Sequence, residues 1–539
     1  MEKRAFLAVF LSALVFILYQ YFYLSKIDTT QIKPEQIKGL EQSAPLKSPI
    51  QPQSEILVKE ESKVEEQLIK EREIKINTGA TEVVLTNKGG KVKAVYLQKY
   101  KAKDGKPINL IKEAEDRLLP VRLDFADKKF SDVINSAAFD VAETEDVINL
   151  SQDKKNSTVK FFYKSNSGLE VSKEYTFYYD DYKIDVGVKT DGSALPAGSL
   201  SYQVLWGPGL RSDGNSDKYN YERPTSFIDG ELVSDKVSGK GEQAYHEGDI
   251  RWVAIQNKYF MAALIPVIKE NLKAVVKTSD IGDLSTGLEY TSVGGRAENR
   301  FILYVGPKES DRLKIYNVSL EKIIDFGWFG FLARPLFKVL KLFYKFTHNY
   351  GISIIIITVI IKLIFFPMSQ KSFKSMQKMQ KIQPELKIIQ ERYKNDKQKL
   401  SQEMMRLYRE NKINPLGGFL PVLIQIPVFV ALYNVLMYSI ELKQSPFIWW
   451  IKDLSEKDPY YITPILMGAT MLIQQKMTPS GGDPMQAKVM LIMPVIFTFM
   501  FLNFPSGLVI YWLVNNVLSI GQQYLIYKDS RKSQVASHK

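Results

Sequence analysis

The sequence predicts a multi-domain membrane protein with six transmembrane α-helices, one an N-terminal anchor and five a C-terminal core, and a large antiparallel β-sandwich outside the cytoplasm. Three observations predict it. Ala5–Leu24 is uncharged and mostly apolar behind Met1-Glu2-Lys3-Arg4. From Ile74 to Val318, short runs rich in β-branched and aromatic residues alternate with turn signals. Beyond that, charge-free runs recur at Phe346–Ile361, Ile413–Ile440, Pro459–Gln475 and Val489–Tyr527.

Whole-chain composition hides this division, because 45% hydrophobic residues over 539 positions is ordinary for a soluble protein. Lys plus Arg number 72 against 59 Asp plus Glu, a net charge of +13. That excess suits nucleic acid, an anionic lipid surface or the cytoplasmic loops of a membrane protein. Cysteine is absent, which excludes disulfides, thiol catalysis and thiolate metal sites. The three histidines, His246, His348 and His538, are widely separated and suggest no metal cluster.

Each element follows in order. A secretory signal peptide has an apolar core of about 7–15 residues and a small-residue cleavage site. The first apolar run is longer and Leu24-Ser25-Lys26 offers no such site, so residues 1–25 read as an uncleaved anchor with its basic end inside. Residues 26–73 read as a flexible linker, since Gln31–Arg72 is rich in Gln, Lys, Glu, Pro and Ser and lacks aromatics; a short helix is expected near Val64–Glu71.

Residues 74–320 form the β-sandwich. Thr158–Lys164, Leu169–Tyr179 and Tyr182–Lys189 read as strands, and Thr81–Gly90 ends in an Asn-Lys-Gly-Gly turn. Tyr245-His246-Glu247-Gly248 reads as a loop and Trp206-Gly207-Pro208-Gly209 as a turn. Without a nucleophile elbow, phosphate loop or metal spacing, this domain reads as a binding or scaffolding module.

Residues 321–346 read as an interfacial helix, with Arg334, Lys338, Lys341 and Lys345 among apolar clusters. Spans follow at 347–369, 413–440, 459–476, 489–504 and 507–527. The last two come from Val489–Tyr527, which as one helix would reach about 58 Å, roughly twice the hydrocarbon thickness. Pro505-Ser506-Gly507 divides it with a tight turn. Lys371–Lys412 carries 12 Lys/Arg against five Asp/Glu, while Glu441–Asp458 carries three against four. The first is therefore cytoplasmic and the second outside, with both termini cytoplasmic and a short tail at 528–539. Trp449 and Trp450 suit an interfacial anchor or local packing.

Residues 370–412 read as an amphipathic helical hairpin. Met376, Met379, Gln383, Leu386, Ile389 and Tyr393 keep a 3/4 spacing, and Leu400, Met404, Leu407 and Tyr408 repeat it. Pro384 is expected to kink the first arm. Methionine-rich faces adapt to varied partners, so Met376, Met379, Met404 and Met405 are candidate client contacts, a plain packing face being equally compatible.

Lys362 is the most informative residue. It lies within the apolar run Ser353–Pro367, where a lysine costs about 2.5–3.5 kcal/mol at the centre of a bilayer. Such a residue faces a bundle interior or a wet cavity, or else snorkels to the interface. Thr358 shares its helix face four residues earlier. Gln425 lies between Pro421 and Pro427, Gln474 and Gln475 close the next span, and Trp512, Asn515 and Asn516 fall at i, i+3 and i+4. Each polar residue suits a helix–helix hydrogen bond; together they suggest a shared polar pocket open to the cytoplasm. These spans hold no carboxylate, so a proton relay or cation pathway lacks its usual parts.

The motifs Gly351-Ile-Ser-Ile-Ile-Ile-Ile-Thr358, Asn414-Pro-Leu-Gly-Gly418, Pro421-Val-Leu-Ile-Gln-Ile-Pro427, Asp458-Pro-Tyr-Tyr461, Pro464-Ile-Leu-Met-Gly468, Met493-Pro-Val-Ile-Phe497 and Phe504-Pro-Ser-Gly507 resemble, in order and spacing, the YidC, mitochondrial oxidase-assembly and chloroplast Albino family of membrane-protein insertases. The anchor and exported domain resemble the Gram-negative form. That domain is similar to the family's periplasmic β-super-sandwich at Val84-Leu-Thr-Asn-Lys-Gly-Gly90 and Lys258-Tyr-Phe-Met-Ala-Ala-Leu-Ile-Pro266.

The resemblance implies a cofactor-free, non-enzymatic insertase of the bacterial inner membrane, acting alone or with the Sec translocon. Its partners would be nascent membrane proteins and lipid, with the ribosome and the signal-recognition machinery met by the cytoplasmic loops and no sequence-specific nucleic acid. A groove open to cytoplasm and lipid would hold Lys362, Thr358, Gln425, Gln474 and Trp512. The bacterial family usually has arginine at the position of Lys362; here the charge is kept and bidentate carboxylate pairing is lost. Two other classes remain open from the residues. A solute transporter would need internal repeats, which the sequence lacks. A tethered sugar-active protein, suggested by a likeness of the sandwich to galactose mutarotases, would need a His/carboxylate set, and His246 is the one histidine there.

Overall fold

The computed structural model describes residues 71–165, 168–192, 199–211, 222–237, 239–280, 282–293, 295–411, 413, 420–477 and 484–537. The anchor, nearly all of the linker with its expected short helix, and Asn414-Pro-Leu-Gly-Gly418 lie outside them.

Alternating apolar residues give strands with one face buried, and the strands Glu170–Tyr178 and Lys183–Asp191 are of this kind. Among the described residues nineteen strands form three sheets. The nine-stranded sheet runs from Glu231–Val233 through Arg223–Ile228, Ile250–Gln256, Phe260–Pro266, Arg296–Pro307, Lys183–Asp191, Glu170–Tyr178 and Asn156–Lys164 to Asp140–Val141. In Glu170–Tyr178, Val171, Lys173, Tyr175 and Phe177 point inward, one residue in two. Phe260–Pro266 is buried at every position, as a continuous apolar run at a sheet centre requires. One five-stranded sheet holds Glu73–Asn77, Thr81–Thr86, Lys91–Lys101, Pro107–Asn109 and Val147–Asn149. The other holds Arg122–Phe125, Ser199–Trp206, Gln243–His246, Leu272–Thr278 and Leu284–Val293.

The all-antiparallel expectation needs one correction: Val147–Asn149 pairs parallel to Glu73–Asn77. The chain reaches that edge only after a long excursion that includes helix α1 (Lys128–Ser136), so no hairpin fixes its direction. His246 ends a strand instead of sitting in a loop, and its Nε2 lies 2.9 Å from Asp235. The expected turn at Asn87–Gly90 is gripped from below. Lys173 Nζ donates to the Gly89 carbonyl at 2.7 Å and Tyr175 Oη to the Gly90 carbonyl at 2.6 Å. Gly89 has φ +67°, and a Cβ there would meet the Asn135 carbonyl at 2.7 Å.

After a short helix α2 (Ser310–Lys314), helix α3 (Gly330–Thr347) buries Ala333, Phe337 and Leu340 on one face and exposes Phe331, Leu342 and Phe346. Helix α4 (Tyr350–Lys381) follows at once, its N-terminus capped by the Asn349 side chain. It continues past the expected end of the span at residue 369, and Pro367 does not stop it. The hairpin then comprises α5 (Gln383–Arg392) and α6 (Lys397–Glu410). Pro384 opens α5 instead of kinking an arm, since a first-turn proline lacks only an N–H the helix would not use.

Helices α7 (Leu420–Tyr438), α8 (Ile462–Met477), α9 (Pro484–Phe501) and α10 (Ser506–Ser537) complete the chain. The turn expected at Pro505-Ser506-Gly507 separates α9 from α10. Where a short tail was expected after residue 527, α10 runs on to Ser537, through a sequence without glycine or proline. Among the described residues, α4 alone is long and apolar enough to cross a membrane by length and composition, and α7 and α9 carry shorter apolar stretches at Gln425–Tyr438 and Leu491–Phe501. The reason is visible in the others: α8 reaches only about 24 Å, and α10 carries Asn515, Asn516, Gln522 and Gln523 along its length.

Candidate functional site in the helical region

Residues at i, i+1, i+4, i+7 and i+8 share one side of a helix. On α10 those positions are Asn515, Asn516, Ser519, Gln522 and Gln523, and this polar stripe meets α4, α7 and α8. Lys362 Nζ on α4 donates to Ser519 Oγ at 2.7 Å, and that hydroxyl donates to the Asn515 carbonyl at 2.7 Å. Gln425 Nε2 on α7 donates to Asn515 Oδ1 at 2.8 Å. Asn516 Nδ2 donates to Thr470 Oγ1 on α8 at 3.3 Å. Further along, Gln522 Nε2 donates to the Phe366 carbonyl at 3.2 Å and Gln523 Nε2 to the Met477 carbonyl at 3.1 Å.

The other end of α10 differs in kind. Leu508, Val509, Ile510 and Tyr511 are buried in one apolar core with Ile354, Val435, Leu436 and Met467. The helices are thus polar between one another towards the hairpin and apolar towards the loop at 441–461.

The sequence-predicted residues divide accordingly. Lys362 and Gln425 join one hydrogen-bonded chain through α10. Lys362 is half-buried and turned to α10, whereas its neighbours Leu363 and Ile364 are exposed. Thr358 is buried, but its hydroxyl donates to the Ile354 carbonyl of its own helix at 2.6 Å. Trp512 packs edge-on to Phe429 with ring centroids 4.7 Å apart and lies 5.0 Å from Phe501. Gln474 lies half-buried near the end of α8.

Among the methionines, Met379 and Met404 pack against the hairpin's own core of Ile382, Leu386, Leu407 and Ile413. Met376 is half-buried, and Met405 is 42% exposed. Ser519 and Thr470 were missed as site residues. Continuing the stripe from Asn515 by four finds the serine; no sequence pattern singles out Thr470.

Within this chain of bonds the ammonium meets a hydroxyl dipole and no carboxylate. A neutral partner orients the lysine without cancelling its field, which a low-dielectric setting strengthens.

Residues 342–534 match the 60Kd inner membrane protein family and residues 73–339 the YidC periplasmic domain. The membrane protein insertase YidC of Syntrophus aciditrophicus is 40% identical over 552 residues, covering 98% of this chain and 100% of its own. The chain belongs to the YidC family of membrane protein insertases. The YidC insertase of Geotalea uraniireducens is 39% identical over 552 residues, covering 98% of this chain and 99% of its own. A solved active YidC insertase with its first transmembrane domain resolved is similar at 20% identity and a TM-score of 0.39, over 84% of this chain and 92% of that one. A YidC-family chain is an inner membrane protein with a β-rich periplasmic domain, and its work is insertion and not enzymatic turnover.

Proposed function

We propose that this chain inserts inner-membrane proteins through a groove between α4, α7, α8 and α10, open to the cytoplasm and to lipid. The observation that carries the reading is the half-buried Lys362, bonded to Ser519 in a polar chain at the hairpin end of helices whose opposite ends are apolar. A hydrophilic client segment entering there keeps polar company part-way across the bilayer, and the ammonium attracts its acidic residues. No step needs a cofactor, because the free energy comes from moving the client's apolar segment into lipid.

In this reading six spans cross the membrane: the anchor at 1–25 and then α4, α7, α8, α9 and α10. Both termini and the basic hairpin are cytoplasmic, which the 12 Lys/Arg of Lys371–Lys412 support. Lys362, Gln425, Gln474, Thr358 and Trp512 line or brace the groove. The hairpin meets ribosome and targeting machinery, and the protein works alone or beside the Sec translocon. Purified chain in proteoliposomes should insert a short single-span client with an acidic translocated segment, read as protease protection of that segment. Protection no greater than in empty liposomes would refute the reading.

A further inference from the structure

The motif Asp458-Pro-Tyr-Tyr461 has no part in the groove, yet its first residue is a fully buried carboxylate. Four neutral donors satisfy it. Oδ1 accepts from Trp450 Nε1 at 3.1 Å and from the Tyr460 backbone N–H at 3.0 Å. Oδ2 accepts from the Thr463 backbone N–H at 2.8 Å and its hydroxyl at 2.7 Å. Thr463 lies in the first turn of α8, so Asp458 joins the start of that helix to the middle of the loop at 441–461.

That loop holds the ends of the neighbouring helices as well. The Ser506 N–H donates to the Glu456 carbonyl at 2.7 Å, the Ser506 hydroxyl to the Asp453 carbonyl at 3.0 Å, and the Gly507 N–H to the Leu454 carbonyl at 3.0 Å. These fix the first turn of α10. Asn349, the cap of α4, donates through Nδ2 to the Phe447 carbonyl at 2.8 Å. Leu442, Ile451 and Leu454 are buried in the core that fills the apolar ends of the bundle. The backbone approach is close: a Cβ on Gly507 would lie 3.2 Å from the Leu454 carbonyl oxygen.

We infer that Asp458 is a positioning residue that latches the 441–461 loop as an outer plug, keeping the groove closed on the periplasmic side while clients enter from the other. The inference rests on the one-sided groove proposed above. Removing the carboxylate leaves four donors unpaired, the two of Thr463 in a buried place, which favours any opening that lets water reach them. The loop then lifts from α8 while its bonds to α10 remain.

The chain has no cysteine, so a single thiol reports cleanly. Ser519→Cys, in membrane vesicles of either orientation, is treated with a membrane-impermeant maleimide. The otherwise unchanged chain should label readily from the cytoplasmic side and only at a slow background rate from the periplasmic side. Adding Asp458→Ala should raise labelling from the periplasmic side about tenfold, the change that about 1.4 kcal/mol of latch free energy produces. Thr463→Val, which removes one donor, should give a smaller rise and serves if Asp458→Ala does not fold. Ile357→Ala, a buried truncation away from the loop, controls for general loosening. Cytoplasmic labelling kept with no periplasmic rise in either variant overturns the latch, as does an equal rise in the control. Loss of cytoplasmic labelling in the chain carrying only Ser519→Cys would overturn the groove and the latch together.

Discussion

Lys362 and Ser519 stand 157 positions apart, yet the lysine Nζ donates to the serine hydroxyl at 2.7 Å. The serine passes its own hydrogen to the Asn515 carbonyl one turn back, so its oxygen lone pairs face the ammonium. The stem is held and the charge is not neutralised.

Charge and geometry make different demands on this position, and variants separate them. An attractive point charge requires no fixed fork of donors, so Lys362→Arg should keep insertion. Lys362→Ala and Lys362→Glu should slow insertion of a client with an acidic translocated segment at least about tenfold, a loss of about 1.4 kcal/mol. The same client with its acidic residues neutralised should lose much less. Ser519→Ala should be milder than Lys362→Ala, since only the orienting bond goes. The assay is in vitro insertion of the paired clients; equal sensitivity of both to Lys362→Ala would show that the lysine supports packing and not attraction.

Much of this was legible because two periodicities are local. Period two in Glu170–Tyr178 assigns Lys173 to the buried face beside Val171, Tyr175 and Phe177, and that is where it lies. The 3/4 spacing likewise pairs Met379, Leu386, Met404 and Leu407 in one small core. What was not legible is non-local or residue-poor in signal. The parallel edge strand depends on a long excursion, and Ser519 is a small residue whose significance comes from another helix. Pro384 was misplaced because a proline inside a periodic pattern reads equally as a kink or as a first-turn residue. The number of spans stays a matter of composition, since α8 is short and α10 is polar along one side for a reason other than solvent.

The hairpin methionines divide into two roles that mutation can tell apart. Leu407→Ala or Met404→Ala removes atoms from a core with four buried members, Ile382, Leu386, Leu407 and Ile413. For Leu407 the loss should be about 2–4 kcal/mol, enough to unfold so small a unit locally. Hydrogen–deuterium exchange should then accelerate across Gln383–Glu410 while the Ile354 region of α4 stays protected. Met405→Ala should leave exchange unchanged, because that side chain is exposed, and should weaken cross-linking to a bound client. Faster exchange in Met405→Ala would place it in the packing face with the others.

The interior of the β-region offers a test of how buried ammonium groups are satisfied. Lys173 is fully buried, and burial pushes its pKa down with Lys91 adding to the effect. Its Nζ is spent on the Gly89 and Val121 carbonyls. Lys173→Met keeps the length of the chain but orphans both carbonyls, each at about 1–3 kcal/mol. Avoided burial of the ammonium offsets part of this, so a net loss of about 1–2 kcal/mol is expected. Chemical denaturation followed by tryptophan fluorescence measures it. A variant more stable than the parent would mean that the desolvation cost outweighs those two bonds.

Glu441, just past the end of α7, is the acid whose environment disfavours its charge most plainly. Burial pushes its pKa up to about 7, with Lys341 pulling the other way and Glu309 and Asp311 adding to the rise. The Lys341 Nζ is 3.8 Å away, too far for a hydrogen bond, and Glu441 Oε1 has no hydrogen-bond partner. The folded protein therefore binds this proton more tightly than the unfolded chain, where the value is the ordinary 4.5. Stability contributed by the neutral form is complete below about 4.5, falls as pH rises towards about 7 and is lost above it. The full swing is at most about 3 kcal/mol. Glu441→Gln removes the titration, so it should match the parent at pH 5 and unfold at a higher temperature than the parent at pH 8. Thermal unfolding of the purified protein in nanodiscs at the two pH values decides it. A parent-to-variant difference that is the same at both would show that Glu441 stays ionised in the fold and that Lys341 outweighs its burial.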